Sequence, residues 1–96
     1  MRVLTAIGTI LVLAAMSAFA GDYEDGKKFY DSKDYARAIS SFRKAAAQGV
    51  AGAQFYLGVM YSGGKGVAQD YKQALFWYEK AAAQGHTMAQ AFSGAM

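Results

Sequence analysis

From residue 34 onward the apolar positions recur with the period of a helix. Tyr35, Ala38, Ile39, Phe42, Ala45 and Ala46 fall at i, i+3, i+4, i+7, i+10 and i+11, which places them in one stripe on a helix of about 3.6 residues per turn. Tyr71, Ala74, Leu75, Tyr78, Ala81 and Ala82 spell the same stripe. Asp34 and Asp70 stand where an N-cap carboxylate accepts the free amides of a first turn, and Lys44 and Lys80 lie near the negative C-terminal end. Gly49 and Gly85 then supply the left-handed residue that stops each helix. Between the stripes a further helix is predicted from Ala51 to Ser62, with Ala53, Leu57, Met60 and Tyr61 inward and Gly58 admitting a close neighbour. Gly63-Gly64-Lys65-Gly66-Val67-Ala68 reads as the turn of a helical hairpin. A phosphate-cradling loop would need a following Ser or Thr after its lysine and a preceding strand, and has neither.

The pattern is written about twice. Asp34-Tyr35-x-x-Ala38-x-x-x-Phe42-x-Lys44-Ala45-Ala46-Ala47-Gln48-Gly49 recurs 36 residues later as Asp70-Tyr71-x-x-Ala74-x-x-x-Tyr78-x-Lys80-Ala81-Ala82-Ala83-Gln84-Gly85. The same offset carries Ala53-Gln54 onto Ala89-Gln90, and Gly58 and Met60 onto Gly94 and Met96. A last helix, Thr87 to Met96, opens a third unit. A fixed period of this length is the mark of a stacked repeat architecture.

The run Ala53-Gln54-x-x-Leu57-Gly58-x-x-Tyr61-x-x-Gly64-x-Gly66-Val67-x-x-Asp70-Tyr71-x-x-Ala74-x-x-Trp77-Tyr78-x-x-Ala81-Ala82-x-x-Gly85 resembles the Sel1-like repeat, a relative of the tetratricopeptide repeat. The first unit, Gly26-x-x-Phe29 followed by Tyr35-x-x-Ala38-x-x-x-Phe42-x-x-Ala45, is shorter and resembles a tetratricopeptide repeat. It lacks four residues of the glycine loop that lies between Tyr61 and Tyr71. The resemblance implies an all-α fold: a right-handed α-solenoid of antiparallel helix pairs, with a tetratricopeptide-like repeat over 22–49, a Sel1-like repeat over 50–85 and a partial third over 86–96. It also implies an adaptor for protein partners. Some cysteine-rich members are linked to β-lactam or cell-wall chemistry. This chain has no Cys, so that alternative is disfavoured.

Residues 1–20 carry a different pattern. Arg2 is followed by an uncharged apolar run from Val3 to Met16 and by Ser17-Ala18-Phe19-Ala20, where small side chains at Ala18 and Ala20 suit a signal peptidase pocket. Cleavage after Ala20 is expected, with export to a bacterial periplasm or beyond the cell. The apolar run is shorter than the roughly 20 residues that span a bilayer; an uncleaved, membrane-tethered structural protein is the alternative. No membrane association is expected after cleavage. The chain's net charge of +3 includes Arg2, and a surface so nearly balanced gives no argument for nucleic acid. With 54% apolar and 18% charged residues and no Pro, the composition suits a folded helical domain.

Reactive groups are sparse, so neither catalytic residues nor a cofactor or metal site is expected. His86, the one histidine, lies in the turn Gly85-His86-Thr87 and reads as an exposed turn residue. Ser40 and Ser41 fall within a helix, a poor setting for an activated hydroxyl. Asp22, Glu24, Asp25, Asp31 and Asp34 are interspersed with Lys27, Lys28 and Lys33, the mark of a solvated surface more than of a cation site. The aromatics are more numerous than two repeats need. Phe55, Tyr56 and Phe76 fall off the main stripe; they are the candidate partner-binding surface, with packing against the third unit as the other reading. The apolar tail Ala89-Gln90-Ala91-Phe92-Ser93-Gly94-Ala95-Met96 leaves an uncapped face, which permits self-association or capture of a partner's helix.

Overall fold

Five helices and no strand make up residues 21–95, the residues that the computed structural model describes. The expected leader over 1–20, and Met96, the expected end of the last helix, lie outside them. The chain is helical over residues 21–31 (α1), then over Tyr35–Ala47 (α2), Ala51–Gly63 (α3), Tyr71–Ala83 (α4) and Thr87–Ala95 (α5). The all-α solenoid of two repeats and part of a third is the observed architecture.

The predicted start and stop signals act as written. The Asp34 carboxylate accepts from the Arg37 amide at 3.3 Å. Asp70 accepts from Lys72 and Gln73 at 3.0 and 3.1 Å. At the other end of α2 the Gly49 amide donates to Ala46 and the Val50 amide to Ala45. Gly85 and His86 repeat that pair of bonds on Ala82 and Ala81 after α4. Both glycines sit at positive φ, +88° and +86°, the left-handed closure that lets two orphan carbonyls be satisfied by one turn. The same closure ends α1, where Lys33 and Asp34 donate to Tyr30 and Phe29, but there the left-handed residue is Lys33, at φ 64°.

The stripes pack as two cores along the stack. Ala38, Ile39, Phe42, Ala45 and Ala46 of α2 and Ala53, Leu57 and Met60 of α3 form the first, covered by Tyr23, Phe29 and Tyr30 of α1. Ala74, Tyr78, Ala81 and Ala89 form the second, with Phe55, Val59 and Tyr61 of α3 packed against it. Two glycines set the spacing within the helix pairs. A Cβ on Gly26 would lie 2.6 Å from the Phe42 ring, and one on Gly58 would overlap the ring of Tyr78. Phe42 and Tyr78 are repeat equivalents, and each ring rests on the bare Cα of the helix before it.

One stripe residue departs from the expected inward position. Tyr71 is 60% exposed, whereas its equivalent Tyr35 is half-buried. Tyr35 is covered by the glycine loop of the following unit: Lys65 Nζ reaches its hydroxyl at 3.5 Å, and a Cβ on Gly66 would lie 2.6 Å from the Tyr35 carbonyl oxygen. Among the described residues no later loop covers Tyr71.

Candidate interaction surface

The first helices of the three units, α1, α3 and α5, place aromatic rings side by side. On α1, Tyr23, Lys27 and Tyr30 recur at i, i+4 and i+7, so they share one face. Their rings meet Tyr56 of α3, with centroids 6.2 Å apart for Tyr23 and 5.3 Å for Tyr30. Tyr56 lies stacked on buried Phe42 at 4.6 Å, which fixes its plane. Phe55 continues the row from Tyr56, edge to face at 5.8 Å, and stacks on Phe92 of α5 at 5.6 Å. Phe92 in turn stacks on Tyr78 at 5.5 Å. A continuous row, Tyr23/Tyr30, Tyr56, Phe55, Phe92, thus crosses three helices. Such contacts are worth roughly 0.5–1.5 kcal/mol per pair beyond the area they bury.

Polar groups edge this row. Lys27 Nζ lies 4.8 Å from the Tyr23 ring centre and 3.4 Å from Glu24; the hydrogen bond to Glu24, and then the nearby Tyr23, raise its pKa. Lys65 Nζ lies over Tyr35 and Tyr30, 5.1 and 5.8 Å from the ring centres. Burial is the main cause that pushes the Tyr56 hydroxyl above the ordinary tyrosine value, with Tyr23 and Asp31 adding to it. Tyr56 therefore stays a neutral donor on this face.

Of the three residues singled out in the sequence, the structure brings Phe55 and Tyr56 together, half-buried, and sets Phe76 apart. Phe76 is 48% exposed on α4. Its ring meets Trp77 edge-on at 5.0 Å, and Lys80 Nζ lies 5.3 Å from its centre. Phe55 also takes up the packing role against the third unit. Tyr23 and Tyr30, which complete the row, fall outside the repeated pattern; their i, i+7 spacing around Lys27 is the signal that could have found them.

His86 differs from its reading as an exposed turn residue. It is half-buried, its Nδ1 accepts the Ala89 amide at 3.2 Å, and its ring stacks on Phe55 at 4.8 Å. It is the N-cap of α5, bearing its proton on Nε2 in that bond. Of the carboxylates of the first unit, Asp34 caps α2 and pairs with Arg37, Nε lying 3.5 Å from its carboxylate, and Glu24 pairs with Lys27. Among the described residues no group of three or more His, Asp or Glu side chains stands close enough to hold a metal ion, and no helix is long and apolar enough to cross a membrane.

A second polar feature ties the stack together. Gln54, only 4% exposed, donates to the Ala46 carbonyl at 3.2 Å and accepts from Gln84 Nε2 at 2.9 Å, so one side chain joins α2, α3 and α4. Gln90 repeats the first of these bonds one period on, donating to the Ala82 carbonyl at 3.2 Å. A buried amide with both ends satisfied fixes the register of the stack.

Among curated proteins none matches the chain. Solved structures do. Over 80% of its length the chain is 38% identical to a protective antigen of uropathogenic Escherichia coli strains that displays an SLR fold, with a TM-score of 0.76. Over 95% of its length it is 33% identical to a Sel1 repeat protein from Oxalobacter formigenes, with a TM-score of 0.77. It spans 17% and 39% of those two chains. The Sel1 repeat model matches residues 14–50 and 51–86. The shorter first unit, whose sequence resembles a tetratricopeptide repeat, is thus matched by the same model as the second, from a point inside the expected leader. With both units matched, the chain belongs to the Sel1 repeat family.

Proposed function

We propose that this protein is an exported adaptor that binds a protein partner across the first helices of its repeats and has no catalytic activity of its own. Sel1 repeats are typically protein–protein interaction modules. The observation that carries the reading here is the aromatic row Tyr23/Tyr30, Tyr56, Phe55 and Phe92. Rigid rings of this kind give much contact area for little lost side-chain freedom, and hydroxyls and lysines at their edges supply direction. Export rests on Arg2, the apolar run Val3 to Met16 and the small residues Ala18 and Ala20. A bacterial periplasm or the medium is the compartment proposed.

Two measurements test the reading. N-terminal sequencing of the mature protein should begin at Gly21; a start at Met1 in the membrane fraction removes the export claim. Cross-linking and capture from that compartment should recover a partner with the native chain and with Phe76→Ser, and lose it with Tyr30→Ser. Equal capture by all three proteins overturns the assignment of the surface.

A further inference from the structure

The outward positions of α2 and α4 repeat as the buried ones do. Ala36, Ser40 and Lys44 lie at i, i+4 and i+8 on α2, and Lys72, Phe76 and Lys80 take the same places on α4 one period later. That spacing lines one side of a helix, and all six residues are exposed. Ser40 and Lys44 stay exposed with the second unit in place, so a following unit would not cover Phe76 and Lys80 either.

Charge on these two helices is nearly all of one sign. Arg37, Arg43, Lys44, Lys72 and Lys80 are exposed, against the single acid Glu79. By contrast, α3 bears no charged residue, and α1 mixes four carboxylates with Lys27 and Lys28. The caps Asp34 and Asp70 turn their carboxylates to backbone amides at the helix starts. Ion pairs among the described residues are those of Lys27 with Glu24 and Arg37 with Asp34, so none of them neutralises Arg43, Lys44, Lys72 or Lys80. A face kept for solubility alone interleaves both signs and avoids large exposed rings. Phe76 is nonetheless half exposed between Lys72 and Lys80. Lys80 Nζ lies 5.3 Å from its ring centre and 5.9 Å from that of Trp77, and Trp77 is fixed against the first core.

We infer that the outward side of α2 and α4 is a peripheral docking face for an anionic phospholipid surface. Arg43 and the three lysines meet the lipid phosphates, and Phe76 enters the headgroup layer between Lys72 and Lys80. Basic side chains around an aromatic ring are the pattern of helices that lie on a membrane, and clusters of about four to eight of them suffice for anionic lipid. An acidic peptide would satisfy the same charges, but peptides are held by a groove or by free backbone groups. Here the binding groups are side chains on two helices whose backbone is already bonded, an arrangement that a broad surface can meet at every point. Such a contact departs from the expectation of no membrane association, because the nearly balanced total charge conceals a surplus of one sign on one face. It shares no residue with the row Tyr23/Tyr30, Tyr56, Phe55 and Phe92, and it does not depend on the adaptor reading: vesicle binding and partner capture fail separately.

Co-sedimentation with lipid vesicles tests this face, using the chain from Gly21 onward, which keeps every described helix and omits the apolar run Val3 to Met16. Vesicles of phosphatidylcholine with about a third phosphatidylglycerol should bind it at least tenfold better than phosphatidylcholine alone, and added salt should weaken the binding steeply. Lys72→Glu combined with Lys80→Glu should cost at least tenfold. Lys28→Glu combined with Lys33→Glu, at exposed sites of α1 and its turn, changes the net charge equally and should leave binding within about threefold. Phe76→Ser should weaken it severalfold, with circular dichroism unchanged in every variant. Equal losses in the two double variants would assign the effect to net charge and overturn the face. No binding, or equal binding to both kinds of vesicle, would overturn the anionic lipid. So would a soluble glutamate-rich peptide that binds as tightly as the charged vesicles and displaces them, since an acidic protein segment would then be the occupant.

Discussion

At Lys33 the chain places a β-carbon in the left-handed region, φ 64°, at the one helix-ending turn of this kind that does not use glycine. A non-glycine residue there costs roughly 1 kcal/mol or more. Lys33→Gly should therefore raise stability by about 0.5–1 kcal/mol in urea unfolding, after allowing for glycine's greater freedom in the unfolded chain. Lys28→Gly, an exposed site within α1, should lower it by a similar amount, so the two substitutions differ in sign. Tyr78 gives a second residue-scale prediction. Burial raises its pKa above the ordinary 10.0, while its hydroxyl bond with Ser62 acts in the opposite direction. A tyrosine with a raised folded-state value holds its proton in the native chain after the unfolded chain has lost it. Its stabilising effect is thus complete below about pH 10 and declines as pH rises through the folded value. Urea midpoints should fall between pH 9 and 11, and Tyr78→Phe should flatten the decline; Tyr56, shifted in the same direction, leaves a residual slope. An equal slope in the native and Tyr78→Phe proteins would sink this assignment.

At the level of helices, identical letters in the repeat meet different surroundings, and glycine shows it most clearly. Gly58→Ala sets a methyl against the Tyr78 ring and should cost about 1–3 kcal/mol through overpacking. Gly94→Ala, the same repeat position in open space, should gain about 0.5–1 kcal/mol from helix propensity. Thermal melts of the two variants give the comparison, and shifts of the same sign would mean that contact with the Tyr78 ring does not distinguish the two positions. This contrast also explains what could be read in advance. The caps Asp34 and Asp70, the stops Gly49 and Gly85 and the inward residues Ala53 and Met60 depend on neighbours within a few turns, and the 36-residue period states each of them twice. Tyr71 was legible as a stripe residue but not as an exposed one, because its cover would come from a following unit. Tyr23 and Tyr30 escaped because α1 has no clean second copy of its own; with the shorter turn at 32–34, the register against α3 shifts. His86 escaped because an imidazole cap shows itself only in the geometry of a turn.

For the molecule as a whole, the stack is one-dimensional: α2 to α5 each pack on their sequence neighbours, and α1, α3 and α5 also meet, each with the first helix of the adjoining unit, through the aromatic row. α3 is held on two sides, by α2 and α4, and through Gln54 it bonds to both. α5 is held chiefly by α4 and by the contact of Phe92 with Phe55 and Tyr78. In such an array stability is nearly a sum of nearest-neighbour terms, and opening begins at the least-flanked end. Native-state hydrogen exchange should therefore show a gradient, with the amides of Leu57, Gly58 and Met60 in α3 slowest and those of α5 fastest. Phe92→Ala deletes the rings' contact with α5 while leaving the first core untouched. It should speed exchange in α5 at least tenfold and leave α2 within twofold of its native rate. Uniform acceleration across α2 and α5 would instead mean that the two cores open as one unit, and the nearest-neighbour account of this chain would have to be abandoned.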